Sequence, residues 1–207
     1  MPVLEVTQLQ LKGVTPSSPA LLESLSIVRG ILKTQSEFYS CIDDPTLIFI
    51  LGLWPSLEAH AEFLSSTHAG EILGPQEAML EFRWAVHVGL NDMTALPLEA
   101  PVLSLTRRTV NDGDVDAYKK ATTKEEQAII SSSSHKVVSG WRLDAAEGSH
   151  EALLFSGWTS AQASAVFNAS RQTEMHCDDH VATGGLYETL EVHHAWNLER
   201  SPTATLH

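Results

Sequence analysis

Two halves of the chain share one pattern of apolar and polar positions. Val3–Leu11 and Val102–Val110 alternate loosely and are rich in β-forming side chains, so both predict strands. Short apolar runs at Leu47–Trp54 and Glu151–Trp158 predict a second pair of strands. Because the same kinds of element return in the same order, the pattern predicts an internal repeat.

Direct similarity between the two halves supports the repeat. Three segments of the first half align with three of the second: Pro2–Thr7 with Pro101–Thr106, Leu53–Ala59 with Gly157–Ala163, and Val86-His87 with Val192-His193. The extra residues of the second half fall in polar, turn-rich stretches at 144–149 and near 172–185, where insertions are tolerated. The sequence therefore predicts two domains, 1–97 and 98–207.

The remaining elements complete the same order in each half. Ser18-Pro19 predicts a helix start, and Leu21, Leu25, Val28 and Leu32 mark one helical face; its counterpart runs from Asp114 to about Ile130. Ser56 and Ser160 each cap a second helix, and Phe82–Leu90 and Tyr187–Trp196 predict closing strands. The order β-α-β-β-α-β is ferredoxin-like. We expect an α+β fold with two ferredoxin-like repeats whose sheets face each other, an intrachain pseudo-dimeric α/β barrel.

One segment carries a family resemblance. Trp54–His68, WPSLEAHAEFLSSTH, ends a strand on an aromatic residue, continues into a capped helix and closes a stretch of small residues with a histidine. In this it resembles the antibiotic biosynthesis monooxygenase-like and stress-responsive families of dimeric α/β barrels. The second half departs from the signature, with Gln172 where His68 stands. The resemblance implies a small-molecule pocket between sheet and helices, and activities that include cofactor-independent oxidation of anthrone-like polyketides, heme degradation, and isomerisation or cyclisation.

Composition and charge limit the classes of binding partner that are expected. The net charge is −13, with acidic residues in excess in both halves, so nucleic acid and anionic lipid are not expected as partners. No apolar run is long enough to span a bilayer, and the N-terminus lacks the features of a secretory signal. Two cysteines, Cys41 and Cys177, without CxxC spacing argue against a disulfide scaffold or a zinc module, and a cytoplasmic protein is expected. We expect a monomer, which would be a pseudo-dimer, or a homodimer.

The closing strands hold the candidate chemistry. Regular alternation places Arg83 and His87 on one polar face of the first closing strand, with Glu81 and Ala85. The matching polar face of the second strand carries Tyr187, Thr189, Glu191 and His193. Such rows either line a pocket or form a solvated rim.

Roles follow from residue types and from the resemblance. His68, His87 and His193 are the candidates for proton transfer, with Arg83 or Tyr187 stabilising an enolate. Trp54 and Trp158 are expected as walls of a substrate site that also includes Tyr187 and Glu191. Because the first half keeps the fuller polar set, it is slightly preferred as the active half.

Metals and cofactors are not expected. His176–His180, HCDDH, has ligand-type residues, but it lies at an insertion and is interpreted as a polar loop. The sequence has no GxGxxG, Walker A or GxSxG motif. We therefore predict a cofactor-independent enzyme of secondary metabolism that acts on an aromatic or polyketide-like molecule, by oxygenation with O2 or by isomerisation or cyclisation. Two alternatives stay open: a non-catalytic hydrophobic-ligand-binding or stress-response protein, and a heme-handling protein with a histidine ligand.

Overall fold

The computed structural model describes residues 1–178 and 185–200, with the backbone alone over residues 171–178. The chain divides into two compact units: Met1–Met93 with Trp196–His207, and Thr94–Ala195. No helix among the described residues is long and apolar enough to cross a membrane.

Four strands and three helices make up most of the first unit. Its elements are β1 (Val3–Leu11), α1 (Pro19–Leu32), β2 (Glu37–Cys41), β3 (Leu47–Trp54), α2 (Leu57–Ser65), α3 (Thr67–Leu73), a 3-10 turn (Gly74–Gln76) and β4 (Leu80–Val88). The strands predicted at β1 and β3 are confirmed, whereas the closing strand begins two residues earlier than the predicted Phe82.

The second unit repeats this order with longer helices. Its elements are a 3-10 turn (Met93–Ala95), β5 (Val102–Val110), α4 (Val115–Ser133), β6 (Val137–Trp141), β7 (His150–Trp158), α5 (Ala161–Asp178) and β8 (Tyr187–Asn197). Gly157 is needed in β7, because a Cβ atom there would lie 2.7 Å from the Cβ atoms of Ala100 and His135.

The predicted fold of two tandem ferredoxin-like repeats with separate, facing sheets is wrong. The eight strands form a single sheet in the order β4-β1-β3-β2-β8-β5-β7-β6. The physical reason is the length of β8: Tyr187–Ala195 pair with β5, and the chain then continues to β2, where the Leu198 N–H donates to the Phe38 carbonyl at 2.8 Å. The predicted strand ended at Trp196, too early to show this connection.

One face of the first unit's sheet packs against its helices. β1 pairs with β3 on one side and β4 on the other, both antiparallel. Leu21 and Leu25, one turn apart on α1, are buried against Phe38, Ile48 and Leu80 of the sheet. This apolar layer fixes α1 above the strands but does not fill the space beneath α2 and α3.

Each closing strand contains a β-bulge that changes the predicted faces. In the first unit Gln8 pairs with Trp84 and Leu9 with Phe82, so Arg83 is the extra residue. In the second unit Arg107 pairs with Glu191 and Arg108 with Thr189, so Leu190 is extra. Because side chains alternate between the two faces of a strand, one extra residue places the side chains that precede it in the chain on the face opposite to the one predicted by regular alternation.

Candidate functional site

A cavity of about 470 Å³ lies between the sheet and the helices of the first unit. Most of its wall is apolar and is supplied by Leu25, Phe38, Ile50, Phe63, Leu80 and Phe82. This volume suits a small organic molecule.

Three ionisable side chains meet at one end of this cavity. Glu5 on β1 and His87 on β4 are directly paired across the two strands, so their side chains lie next to each other on the helix-facing side. His60 approaches them from the first turns of α2, whose start is fixed because the Ser56 hydroxyl accepts the Ala59 N–H at 3.2 Å. His60 and His87 are only 5% and 7% exposed. We refer to Glu5, His60 and His87 as the triad.

The triad is held by short contacts. Nδ1 of His60 lies 2.6 Å from Nε2 of His87, and Nε2 of His60 lies 3.6 Å from Oε2 of Glu5. The Trp54 indole N–H donates to Oε2 of Glu5, and the Thr7 hydroxyl donates to Oε1. One potential ligand atom from each triad residue lies within 4.8 Å of the other two.

Trp54 also shapes the cavity end. Its ring stacks on the His60 imidazole with centroids 4.4 Å apart, and on Phe63 at 5.5 Å. The side chain is 7% exposed and lines the cavity. Trp54 thus lies in the cavity wall and donates a hydrogen bond to the triad.

Gln76 adds a further polar group to the cavity wall. Gln76 follows α3 in the 3-10 turn and is 7% exposed. Its side-chain nitrogen has no hydrogen-bond partner among the described residues. A buried unpaired donor costs about 1–3 kcal/mol, so its position on the wall of a cavity is consistent with a bound acceptor.

Two of the predicted first-half residues lie elsewhere. His68 begins α3 and is highly exposed, with Nδ1 3.1 Å from Glu71, and it does not line the cavity. Arg83, the bulge residue, bonds to Gln10 and lies 3.4 Å from Glu81. The prediction that Arg83 shares a face with His87 is wrong because of the bulge. His60, which the sequence reasoning missed, stands where His68 was expected to act.

The predicted polar row of the second closing strand is divided between two faces. Tyr187 packs edge-on against Tyr118 of α4, and the Cζ atom of Arg108 lies 4.6 Å from the centre of the Tyr187 ring. Glu191 and His193 follow the bulge and point to the opposite face, with Nε2 of His193 2.9 Å from Oε2 of Glu191. Tyr187 and His193 therefore do not line one pocket.

Glu191 belongs to a buried ion-pair network. Arg107 donates to Glu191 at 2.7 Å and to Glu151 at 2.8 Å, and Arg142 donates to Glu151 at 2.9 Å. The hydrogen bond from His193 lowers the pKa of Glu191, burial opposes this, and the charge of Arg107 lowers it further. Such a network is well explained by folding alone.

The sheet register identifies the true counterpart of His87. His87 lies opposite Glu5, and in the second unit His194 lies opposite Ser104, the residue aligned with Glu5. The predicted equivalence of His87 with His193 is therefore wrong by one residue. Ser164 of α5 takes the place of His60, four residues after the capping serine in each half.

Trp158 occupies the same position in the second unit as Trp54 does in the first, but its indole N–H has a different hydrogen-bond acceptor. It is 3% exposed and packs on Phe167, with ring centroids 5.2 Å apart. Its indole N–H donates to the Ser156 hydroxyl at 2.9 Å instead of to a carboxylate. The triad chemistry is thus confined to the first unit within the part of the chain that the structure describes. Of the segment His176–His180, predicted to be a polar loop, the backbone through Asp178 belongs to α5, and the rest of the segment and all of its side chains lie outside what the structure describes.

Comparison with known proteins identifies a fold and no family. No family model matches the sequence, and no curated protein is significantly similar to it. Similar solved structures include an anthrone oxidase-like protein (15% identity, 99% of this chain and 97% of that chain, TM-score 0.60). A mutant chlorite dismutase from Candidatus Nitrospira defluvii matches with 12% identity, 96% and 92% coverage and a TM-score of 0.58. A heme-binding protein from Thermus thermophilus matches with 12% identity, 95% and 90% coverage and a TM-score of 0.50.

These findings correct the sequence-based family and function. A dye-decolorizing peroxidase also shares the fold, so the similar structures indicate the chlorite dismutase and peroxidase type of fold rather than a tandem antibiotic biosynthesis monooxygenase-like barrel. The prediction of a cofactor-independent enzyme of secondary metabolism is wrong for the same reason, since these neighbours point to heme-binding enzymes. At these identities the similarity concerns the fold alone.

Proposed function

We propose that the first unit is a redox enzyme that oxidises a small aromatic molecule bearing a hydroxyl group. The apolar cavity would hold the aromatic body, and the triad would meet the hydroxyl at its polar end. The redox class is supported by the similar solved structures, which include a mutant chlorite dismutase and a dye-decolorizing peroxidase.

One observation carries the proposal: two buried histidines and a carboxylate converge in the wall of a cavity that is mostly apolar. Desolvation of such groups is costly, and a protein that places them beside a ligand-sized space gains little stability from doing so. Clusters of this kind are typical of reacting centres. Aromatic side chains in the wall, including Trp54, Phe63 and Phe82, favour a flat ring as the bound body.

Gln76 gives the cavity a means of orienting its ligand. Its unpartnered amide N–H groups point to an acceptor on the bound molecule, such as a second oxygen substituent. A substrate with oxygens at two positions of one ring, a hydroquinone, would satisfy both the triad and Gln76. This pairing of polar groups fixes which end of the ring reacts.

Heme does not fit the triad. An axial histidine must direct a ring nitrogen at the iron. Here His60 directs one nitrogen at His87 and the other toward Glu5, and Trp54 covers its ring. Arg29, a cavity-lining residue that could pair with a propionate, already makes two hydrogen bonds to Glu199, at 2.6 and 2.8 Å.

The reaction that fits the proposed substrate is a two-electron oxidation. The hydroquinone loses two hydrogen atoms and becomes a quinone, and dioxygen accepts them and becomes hydrogen peroxide. The triad side chains would hold the reacting hydroxyl and exclude water from it.

The test is enzyme-dependent oxygen consumption with methylhydroquinone and 1,4-naphthohydroquinone, corrected for their spontaneous oxidation. We expect Glu5→Gln to lower kcat by at least about 100-fold, in the range of a lost catalytic group. Gln76→Leu should raise KM with a small effect on kcat, because it removes a contact present in both the bound and the reacting states.

Matched controls are His68→Ala and His193→Ala, which remove histidines outside the cavity. Both should keep turnover within a factor of about two of the parent, as expected of groups that do not touch substrate. Binding of these compounds without any oxygen consumption would show a binding protein and refute the redox assignment. Equal loss in His68→Ala would refute the location of the site.

A further inference from the structure

We infer that Glu5, His60 and His87 bind one divalent first-row transition-metal ion, with iron(II) as the working ion. This inference rests on the proposed function, because the residues that would bind the ion are the triad proposed there as the reacting centre. Two histidines and one carboxylate with open positions form the ligand set of non-heme iron(II) oxygenases and of many catalytic zinc sites.

The distances within the triad are close to those of a bound site. Ligand atoms at about 2.1 Å from one ion lie roughly 3.0–3.5 Å from each other in octahedral or tetrahedral geometry. Nδ1 of His60 and Nε2 of His87 are 2.6 Å apart, Oε2 of Glu5 lies 3.6 Å from the other His60 nitrogen, Nε2, and one ligand atom from each of the three residues lies within 4.8 Å of the other two. An ion bound by both of these nitrogens would require them to move apart from 2.6 Å by about 0.4–0.9 Å.

The groups around Glu5 are those that hold a ligating carboxylate in position. Each carboxylate oxygen accepts one hydrogen bond, from the Trp54 indole or the Thr7 hydroxyl. Both donors are neutral, so they orient the carboxylate without neutralising its charge. Outer contacts of this kind orient metal ligands and are a recurrent part of metal sites.

The location leaves room for a reacting molecule. The triad side chains line the cavity wall, so an ion held by them would lie next to the space proposed for substrate. His60 and His87 come from a helix and a strand that are fixed independently, by the Ser56 cap and by the β1–β4 pairing. Ligands on rigid elements preserve coordination geometry.

The second unit offers an internal comparison. Its corresponding residues are Ser104, Ser164 and His194, so only one of the three ligand-type side chains is kept. The inference therefore predicts one ion per chain, and variants of the second unit should not affect it.

The test is titration of the metal-free full-length chain with cobalt(II), followed by visible absorption, and anaerobically with iron(II), followed by metal analysis after gel filtration. We expect one ion per chain, with cobalt d–d bands. Glu5→Gln, His60→Asn and His87→Asn should each weaken binding by more than the roughly 10–100-fold of an outer contact. His68→Asn and His194→Asn, matched histidine variants outside the triad, should bind as the parent does. Circular dichroism and thermal melting confirm that each variant is folded.

Two results would overturn the metal site: no stoichiometric cobalt(II) binding to the folded parent, or parent-like binding by the three triad variants. Either would leave the 2.6 Å contact as an N–H···N hydrogen bond between two imidazoles. Failure of the proposed function is a separate outcome. If the protein binds the metal but does not oxidise hydroquinones, the proposed function is refuted and the metal site stands. If chelator-treated protein oxidises hydroquinones at the full rate, and Glu5→Gln abolishes this activity, the proposed function stands and the metal site is refuted.

Discussion

Trp54→Phe isolates the hydrogen bond that orients the triad. The substitution removes the indole N–H that donates to Glu5 and keeps an aromatic ring able to stack on His60, now 4.4 Å from the Trp54 ring centre. Because Glu5 stays in place with its second oxygen bonded to Thr7, the carboxylate loses one of two fixed contacts. The change therefore tests orientation rather than the presence of the charged group.

Two independent arguments give the size of the effect. A hydrogen bond to a charged group contributes about 1.5–3 kcal/mol. Loss of an outer contact of a metal ligand lowers metal affinity about 10–100-fold, which is about 1.4–2.7 kcal/mol. We therefore expect cobalt(II) affinity to fall by one to two orders of magnitude, about 10–100-fold.

Trp158→Phe is the matched control. Trp158 occupies the same place in the second unit, is similarly buried, and donates to the neutral hydroxyl of Ser156 at 2.9 Å. Both variants leave a comparable void and both should lower the free energy of unfolding, measured by urea denaturation. Only Trp54→Phe should change the cobalt(II) titration. Unchanged affinity in Trp54→Phe, or equal loss in Trp158→Phe, would refute the role of the indole N–H.

Three further predictions concern the second unit. Glu125→Gln should lower the free energy of unfolding by about 3–5 kcal/mol because it leaves Arg108 buried without its bidentate partner; a paired Arg108→Met/Glu125→Met variant should lose less, as a urea double-mutant cycle would show. The hydrogen bond from His193 lowers the pKa of Glu191, so the contribution of Glu191 to the free energy of unfolding should be complete above about pH 4.5. It should be lost as the pH falls through the lowered pKa of Glu191 in the folded protein, and Glu191→Gln should flatten this part of a curve of stability against pH. Gly157→Ala should lower the melting temperature and cost about 1–3 kcal/mol by overpacking.

The strands could be predicted because their signal is local. Val3–Leu11 and Val102–Val110 were predicted to the residue, since alternation and β-forming side chains depend only on near neighbours. The bulges opposite these strands could not be predicted in the same way. A bulge adds one residue whose pairing depends on the partner strand, so Arg83 could not be separated from His87 by counting alone.

The position of the cavity histidine, which is His60 and not His68, could not be predicted for a different reason. The family resemblance predicts a role for His68 because this histidine ends the stretch that carries it, yet His68 lies on a second, short helix and is exposed. The signal for His60 was present: a histidine four residues after the capping Ser56 lies one turn above the strand end at Trp54. What the sequence could not show is that α2 ends at Ser65, which turns His68 away from the cavity.

The two units show how a duplicated fold can keep its architecture and confine its chemistry to one copy. The tryptophan and the capped helix are kept in both, and both are explained by packing. The carboxylate at Glu5 and the imidazole at His60 are replaced by buried serines, which need less compensation for desolvation. If these groups served stability, the second unit, which has lost them, would need a substitute charge in the same place. Among the described residues of the second unit, the Arg107 network lies on the opposite face of the sheet, and the Arg108–Glu125 pair lies on the same face but four residues further along β5 than Ser104. Neither puts a charge in the place of Glu5, so the first unit's triad is better explained by a ligand than by the fold.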